Sequence, residues 1–421
     1  MRLPLLNLKV LDLSRLLPGG FCSLLLADFG ADVVKVEDTG MGDYARWAPP
    51  YFETSEETAR SAFFVALNRG KRSIQIDLKT RGGRKVLRAL ARDADVLLES
   101  FRPGVLDRLG VGYDQLRAAN PGLVYCAITG YGQDGPARDR PGHDLNYLAL
   151  NGLLALSGEA DGPPVQSAGQ IADLGGGALM ALVGIMCALH DRERSGEGQF
   201  VDISMFDGSL SWLALVAAQA FATGAAPHRG ELPLGGGLIC YRPYRCVDGY
   251  VALGALEHKF WASFCRGVGR EDLLERAFEP PGSAAHRALC EIFAQRTRDE
   301  WRAFASEHDC CLEPVLELDE ALASELVGAR AMIAELKQPG SANPVKLLGT
   351  PIKLSRTPAD PCRAPAPALG AHTDEVLSAA GFSDDEISAL RASGAVAGPV
   401  GGAQGSFLGP SATGSGGRTD G

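Results

Sequence analysis

The chain has 421 residues, 46% hydrophobic, 22% charged and 7% aromatic, the mix of a globular protein and not of a disordered one. At ~100–200 residues per domain, this length predicts two or three domains with cores that need no staples. With 41 Lys and Arg against 51 Asp and Glu, the net charge of −10 excludes a general attraction to nucleic acid or anionic lipid, so local cations must hold any anionic ligand.

The first two hundred residues alternate short β-rich runs with helical stretches. Val10–Ser14, Asp32–Glu37, Ser73–Leu78, Asp95–Glu99, Leu123–Thr129 and Phe200–Ser204 read as strands, and Phe21–Phe29 and Gly82–Arg92 as helices. Such alternation predicts an α/β domain, a doubly wound parallel sheet with helices on both faces. Leu174–Leu189 carries no charge over sixteen residues, but a membrane span needs ~20, and Asp173 and His190 bracket it; it is read as a buried core helix, with no membrane partner. A Gly-, Ala- and Pro-rich loop, Thr223–Gly237, opens a smaller α+β domain, where Cys240 to Leu256 forms a strand pair turning at Asp248-Gly249. Leu347–Leu354 reads as one more strand and Asp374–Ala392 as a helix. The expected division is residues 1–222, a large domain; 223–330, a small one; 331–397, a return to the large one; and 398–421, a glycine-rich disordered tail. The ten cysteines form no C-x-x-C pair or Cys/His block at zinc spacing, and no signal peptide is apparent, which is read as a cytoplasmic protein without a metal site.

Several groups carry chemistry. The first β-α-β unit ends in Glu37 like a dinucleotide site, yet Pro18-Gly19-Gly20 is not G-x-G-x-x-G, so a nicotinamide cofactor is unsupported. Arg69-Gly70-Lys71-Arg72 before the third strand suits either a phosphate or a solvated basic turn. Arg102, just past the fourth strand, lies where open α/β sheets bind ligands. His143, in Gly142-His143-Asp144-Leu145-Asn146-Tyr147, follows a Gly- and Arg-rich loop and opens a helix, where it serves as a neutral base or as a cap. Asp173 precedes Gly175-Gly176-Gly177; it is either an N-cap or an acid/base, with the glycines admitting a reacting carbon and the helix-end N–H groups stabilising an oxyanion. Glu257, in Gly254-Ala255-Leu256-Glu257-His258, ends a strand and by composition alone reads as a surface carboxylate.

From about Leu6 to Val396, the blocks SRLLPGGFCSLLLADFGADVVKVE, NRGKRSIQIDLK, DVLLESFRPGVLDRLG, ITGYGQDGP, RTRDEWRAF and ALGAHTDEVL resemble the family III CoA-transferases, the CaiB/BaiF group. GHDLNYLALNGLL, IADLGGGALMALVGIMCAL and GALEHKFW resemble its α-methylacyl-CoA racemase branch. The resemblance implies a Rossmann-like large domain, a small domain and an interlocked homodimer with active sites between subunits. It implies His143 and Asp173 as the acid/base pair and Glu257 as the carboxylate that hydrogen-bonds the histidine. It places Arg69, Gly70, Lys71, Arg72 and Arg102 near CoA, and Asp144 and Tyr147 beside the thioester. Asp38 stands where the racemases usually carry an arginine, with Arg46 as a candidate to compensate.

The implied reaction is 1,1-proton transfer on a 2-methylacyl-CoA, one base on each face of an enolate, with CoA entering as part of the substrate and no separate cofactor. The alternatives are a CoA-transferase that forms an acyl anhydride on Asp173 and a CoA-binding protein that has lost catalysis.

Overall fold

The computed structural model describes residues 2–54 and 57–399. Six strands, β1 (Lys9–Asp12), β2 (Asp32–Glu37), β3 (Arg72–Ile76), β4 (Val96–Glu99), β5 (Val124–Thr129) and β6 (Phe200–Ser204), run parallel in the spatial order 3-2-1-4-5-6. A short strand, Val396–Ala397, closes the β3 edge antiparallel. All residues of β4 and β5 are buried, which is why their sequences VLLE and VYCAIT run without the polar alternation of a half-exposed strand. This is the Rossmann-like sheet expected. The order reverses between β1 and β4, so the chain leaves these neighbours toward opposite sides and opens a crevice beyond their carboxyl ends.

Helix Leu17–Asp28, with Pro18 in its first turn, follows β1 and is buried along most of its length. A π-helix, Ile171–Leu179, runs directly into α-helix Met180–Ser195. This run is longer than the uncharged stretch read from sequence, and it and Met205–Thr223 are long and apolar enough to cross a membrane by length and composition. Here Met180–Ser195 buries Ala181, Ile185 and Ala188, and Gly184 lies so close to β6 that a Cβ would meet Val201 Cγ1 at 2.7 Å.

The π-helix is where the glycine triplet sits. A Cβ on Gly176 would lie 2.7 Å from Ser209 N and 2.8 Å from Met205 O, and one on Gly208 would run into the carbonyl oxygen of Gly176. Two backbones touch. Gly176 and Gly177 therefore pack the π-helix against helix Met205–Leu210, which corrects the reading that these glycines make room for a ligand.

The chain divides into two compact units. Among the described residues, the first holds the large sheet and comprises 2–147, 170–209 and 326–399; the second comprises 148–169 and 210–325. Residues 148–169 and 210–222 thus join the second unit, not the first as expected from sequence. The reason is local: the crossing at Ser209–Leu210 falls inside an unbroken helical run with no turn signal, whereas the Gly/Pro-rich loop is internal to the second unit. That unit has a three-stranded antiparallel sheet, Tyr241–Cys246, Gly249–Gly254 and Leu312–Pro314, and an aromatic core in which Tyr244 and Phe264 stack on Phe293 and Trp301 packs against it at a tilt.

Two C-terminal elements differ from expectation. The strand is Val345–Leu348, hairpin-paired with Ile333–Leu336, because Pro351 cannot donate to a ladder. The helix is two helices, Thr373–Ala379 and Asp384–Ala392, separated at Gly381 (φ +89°) and restarted by Ser383, whose hydroxyl accepts the Glu386 N–H. The tail reading falls, from residue 400 on, outside the described residues.

Gly208→Ala should lower stability by ~1–3 kcal/mol, the usual cost of overpacking, because a backbone carbonyl cannot swing aside. An unchanged urea midpoint would show that the two helices are not held at backbone contact.

Candidate active site

A cavity of about 650 Å³ opens in the crevice, walled by the segments that leave β1, β4 and β5: Arg15–Pro18, Ser100–Pro103 and Ile128–Gly130. His143, Asn146, Tyr147 and Asp173 line the same cavity. Leu16 reaches φ +60°, rare for a residue with a side chain, and is held there as its N–H donates to Asp43 Oδ1 at 3.2 Å.

His143 immediately precedes helix Asp144–Leu150. Its carbonyl accepts the Asn146 N–H (2.8 Å), and its own N–H donates to Asn146 Oδ1 (3.0 Å), so the backbone and Asn146 do the capping. The imidazole is left without a hydrogen-bond partner among the described residues, and the residue is exposed at the cavity.

Asp144 points the other way. Its buried carboxylate accepts the N–H of Ala172 (2.7 Å) and of Asp173 (3.1 Å), closing the first turn of the π-helix. Asp173 is therefore not the N-cap, since Asp144 does that work and leaves the Asp173 carboxyl for the cavity. The same bonds correct the oxyanion reading. Ala172 and Asp173 give their N–H groups to Asp144, and Leu174 gives its own to the Gln170 carbonyl (3.0 Å), so these amides are committed.

Burial, helped by the neighbouring charge of Asp144, pushes the half-buried Asp173 carboxyl up to about 7. Near neutral pH it is both an acid and a base. Tyr147 is buried between Gly130 and Gly142, donates its hydroxyl to the Gly142 carbonyl (2.7 Å) and stands edge-on to Tyr131 (5.1 Å). Burial and the Asp173 charge raise its hydroxyl pKa, so it stays neutral.

The basic run lies elsewhere. Arg69 is bidentate to buried Asp28, Lys71 bonds Asp12, Ser23 and Asn68, and Arg72 pairs with Asp32 and Glu375; none of them, nor Gly70, lines the cavity. Both sequence readings of this run, phosphate site and solvated turn, are corrected together: its cations neutralise buried or neighbouring carboxylates. Arg46 does not compensate for Asp38 either. It is fully buried, bidentate to Glu37 and 3.7 Å over the Phe64 ring, and although burial alone would raise the Glu37 carboxyl, Arg46 holds it down at about 2.

Arg102 does line the cavity, with Arg15, Arg138 and Arg140. Arg15 is held by Asp38 (2.7 Å) and the Tyr44 hydroxyl (3.0 Å). Sequence reasoning missed these three as lining residues, although Arg138 and Arg140 belong to the loop whose arginine content was noted. Glu257 is an exposed residue of the second unit, at the start of helix His258–Gly267, and is not among the residues lining this cavity.

A cavity at the sheet's switch point with a histidine, a carboxyl titrating near 7 and cations suits a polyanionic substrate and proton transfer. Residues 5–373 match the family model described as CoA-transferase family III, and the chain belongs to that family. It is 38% identical over 386 residues to α-methylacyl-CoA racemase of Mus musculus, covering 90% of this chain and 94% of that protein. It is 35% identical over 388 residues to succinyl-CoA:mesaconate CoA-transferase of Haloarcula marismortui, covering 89% of this chain and 96% of that one. A CAIB/BAIF family protein from Brucella suis superposes with a TM-score of 0.78 at 33% identity, covering 90% of this chain and all of that one (100%).

The raised Asp173 pKa has a sign for stability. From its ordinary 3.8 up to about 7 the folded protein keeps a proton that the unfolded chain has lost, so this stabilisation is complete below about 4 and is lost as pH rises through 7. The melting temperature of Asp173→Asn relative to the parent should therefore climb between pH 4 and pH 8. A difference independent of pH would contradict the buried-carboxyl account.

Proposed function

We propose that the protein is an α-methylacyl-CoA racemase, interconverting the 2R and 2S forms of a 2-methylacyl-CoA by 1,1-proton transfer through an enolate. The observation that carries this reading is the convergence of His143 and Asp173 on one cavity, with the carboxyl held near 7. Similarity to the mouse racemase over nearly the whole chain supports it.

A thioester acidifies its α-carbon, yet an unassisted side chain cannot remove that proton at a useful rate. The cavity arginines, Arg102, Arg138 and Arg140, supply charge for the CoA phosphates, which brings the acyl group to the two bases. His143 takes the proton from one face while Asp173, protonated, delivers one to the other, and the roles exchange in reverse. A carboxyl near 7 is populated in both forms at neutral pH, which a reversible reaction requires. We assign Glu257 to orienting His143 in the homodimer. An exposed apolar stretch supports a second copy: Trp212, Leu215 and Phe221 are 52%, 76% and 86% exposed. Ten free cysteines support a reducing, cytoplasmic location.

The second reading is CoA transfer, with Asp173 attacking the thioester to form an acyl anhydride and release the CoA thiolate. Similarity to the Haloarcula transferase and the accessible carboxyl favour it.

One incubation separates them. In D2O, with a 2-methylacyl-CoA and no acyl acceptor, a racemase incorporates deuterium at C2. Absence of exchange, together with acid-dependent CoA transfer and a trappable acyl group on Asp173, would favour the transferase. His143→Ala should slow exchange from one enantiomer by ~10²–10⁴-fold; undiminished exchange would remove His143 from the mechanism.

A further inference from the structure

Enolate formation places negative charge on the thioester oxygen, and the cavity needs a hydrogen-bond donor there. The first-turn amides of the π-helix are not available, since Ala172 and Asp173 donate to Asp144 and Leu174 to Gln170. Tyr147 is also committed, its hydroxyl donated to the Gly142 carbonyl.

The N–H groups of Asp144 and Leu145, which open the helix that carries Asn146, also have no partner among the described residues, but neither residue lines the cavity; Asn146 combines free donors with a place in the cavity wall. It lines the cavity with His143 and Asp173, at the third position of its helix, and is exposed to the cavity space. The orientation of its amide is settled chemically. The His143 N–H at 3.0 Å can only be accepted by an oxygen, so Oδ1 faces the backbone and Nδ2 points away from it. The two N–H donors of Nδ2 have no partner among the described residues, although the oxygen of the same group is fixed. The amide is thus a donor oriented before substrate arrives, which is the condition under which such a group lowers a barrier.

We propose that the side-chain amide of Asn146 donates a hydrogen bond to the thioester oxygen as that oxygen becomes an enolate. Asn146 is then a catalytic residue beside His143 and Asp173, with its cap oxygen serving as the anchor that aims the donor. The proposal rests on the enolate reading of the site.

Two substitutions separate donation from capping. Asn146→Asp keeps the cap oxygen and loses both donors; Asn146→Ala loses both functions. Both should slow C2 deuterium exchange by ~10²–10³-fold, expressed in kcat with KM for the acyl-CoA little changed, the usual loss on removing one oxyanion donor. Only Asn146→Ala should lower the melting temperature. If Asn146→Asp exchanges as fast as the parent, or if both variants lose only substrate affinity, the donor role is overturned while the racemase reading stands. If the parent protein itself exchanges nothing, the enolate reading fails and the donor role with it.

Discussion

The carboxylate of Asp144 holds the site together. A helix start leaves backbone N–H groups without partners, and here two of them are taken by a buried carboxylate from another helix, in bonds worth ~1.5–3 kcal/mol each when one partner is charged. Asp144 is bonded in the chain to His143 and grips the amide of Asp173. The two proposed proton carriers are thus tied through one side chain, with little slack between them. The same carboxylate, unable to leave, adds its charge to the burial that keeps the Asp173 proton on until about pH 7. Position and acidity share one cause.

A second constraint is a buried set of ion pairs. Asp12, Glu37 and Asp43 meet Lys35, Arg46 and Lys71 in a buried network at the carboxyl ends of β1 and β2. Burial lowers the Lys71 ammonium to about 8 even with Asp12 beside it. Breaking such a pair leaves an uncompensated charge and costs ~3–5 kcal/mol, so these groups are not free to bind a ligand. What the network supplies is shape: Asp43 pairs with Lys35 while accepting the N–H of Leu16, holding the cavity wall in its left-handed turn.

Much of the fold was legible because it follows from periodicity and burial. The six parallel strands were each located to within two residues, as short β-rich runs such as VYCAIT are bounded by turn residues. The unit boundary at Ser209–Leu210 was not, since a helix that passes between units shows no break in its pattern. His143 and Asp173 were legible as chemistry-bearing residues close to glycines and Tyr147 through the family resemblance, and the structure brings all three to one cavity. The basic run was misread because a lysine or arginine looks the same in sequence whether it faces a phosphate or a buried aspartate 59 positions away, as Lys71 faces Asp12. The glycine triplet was misread for a related reason: its neighbour, Gly208, is distant in the chain, and only the close approach of two backbones explains both. Asn146 escaped notice because its value depends on which end of the amide is fixed, and that requires the geometry of one hydrogen bond.

The most direct measurement is a crystal structure of the protein with a bound 2-methylacyl-CoA. The account predicts the α-carbon between the His143 imidazole and the Asp173 carboxyl, on opposite faces, with the phosphates toward Arg102. A thioester lodged elsewhere, or one in which both groups approach the same face, would contradict it.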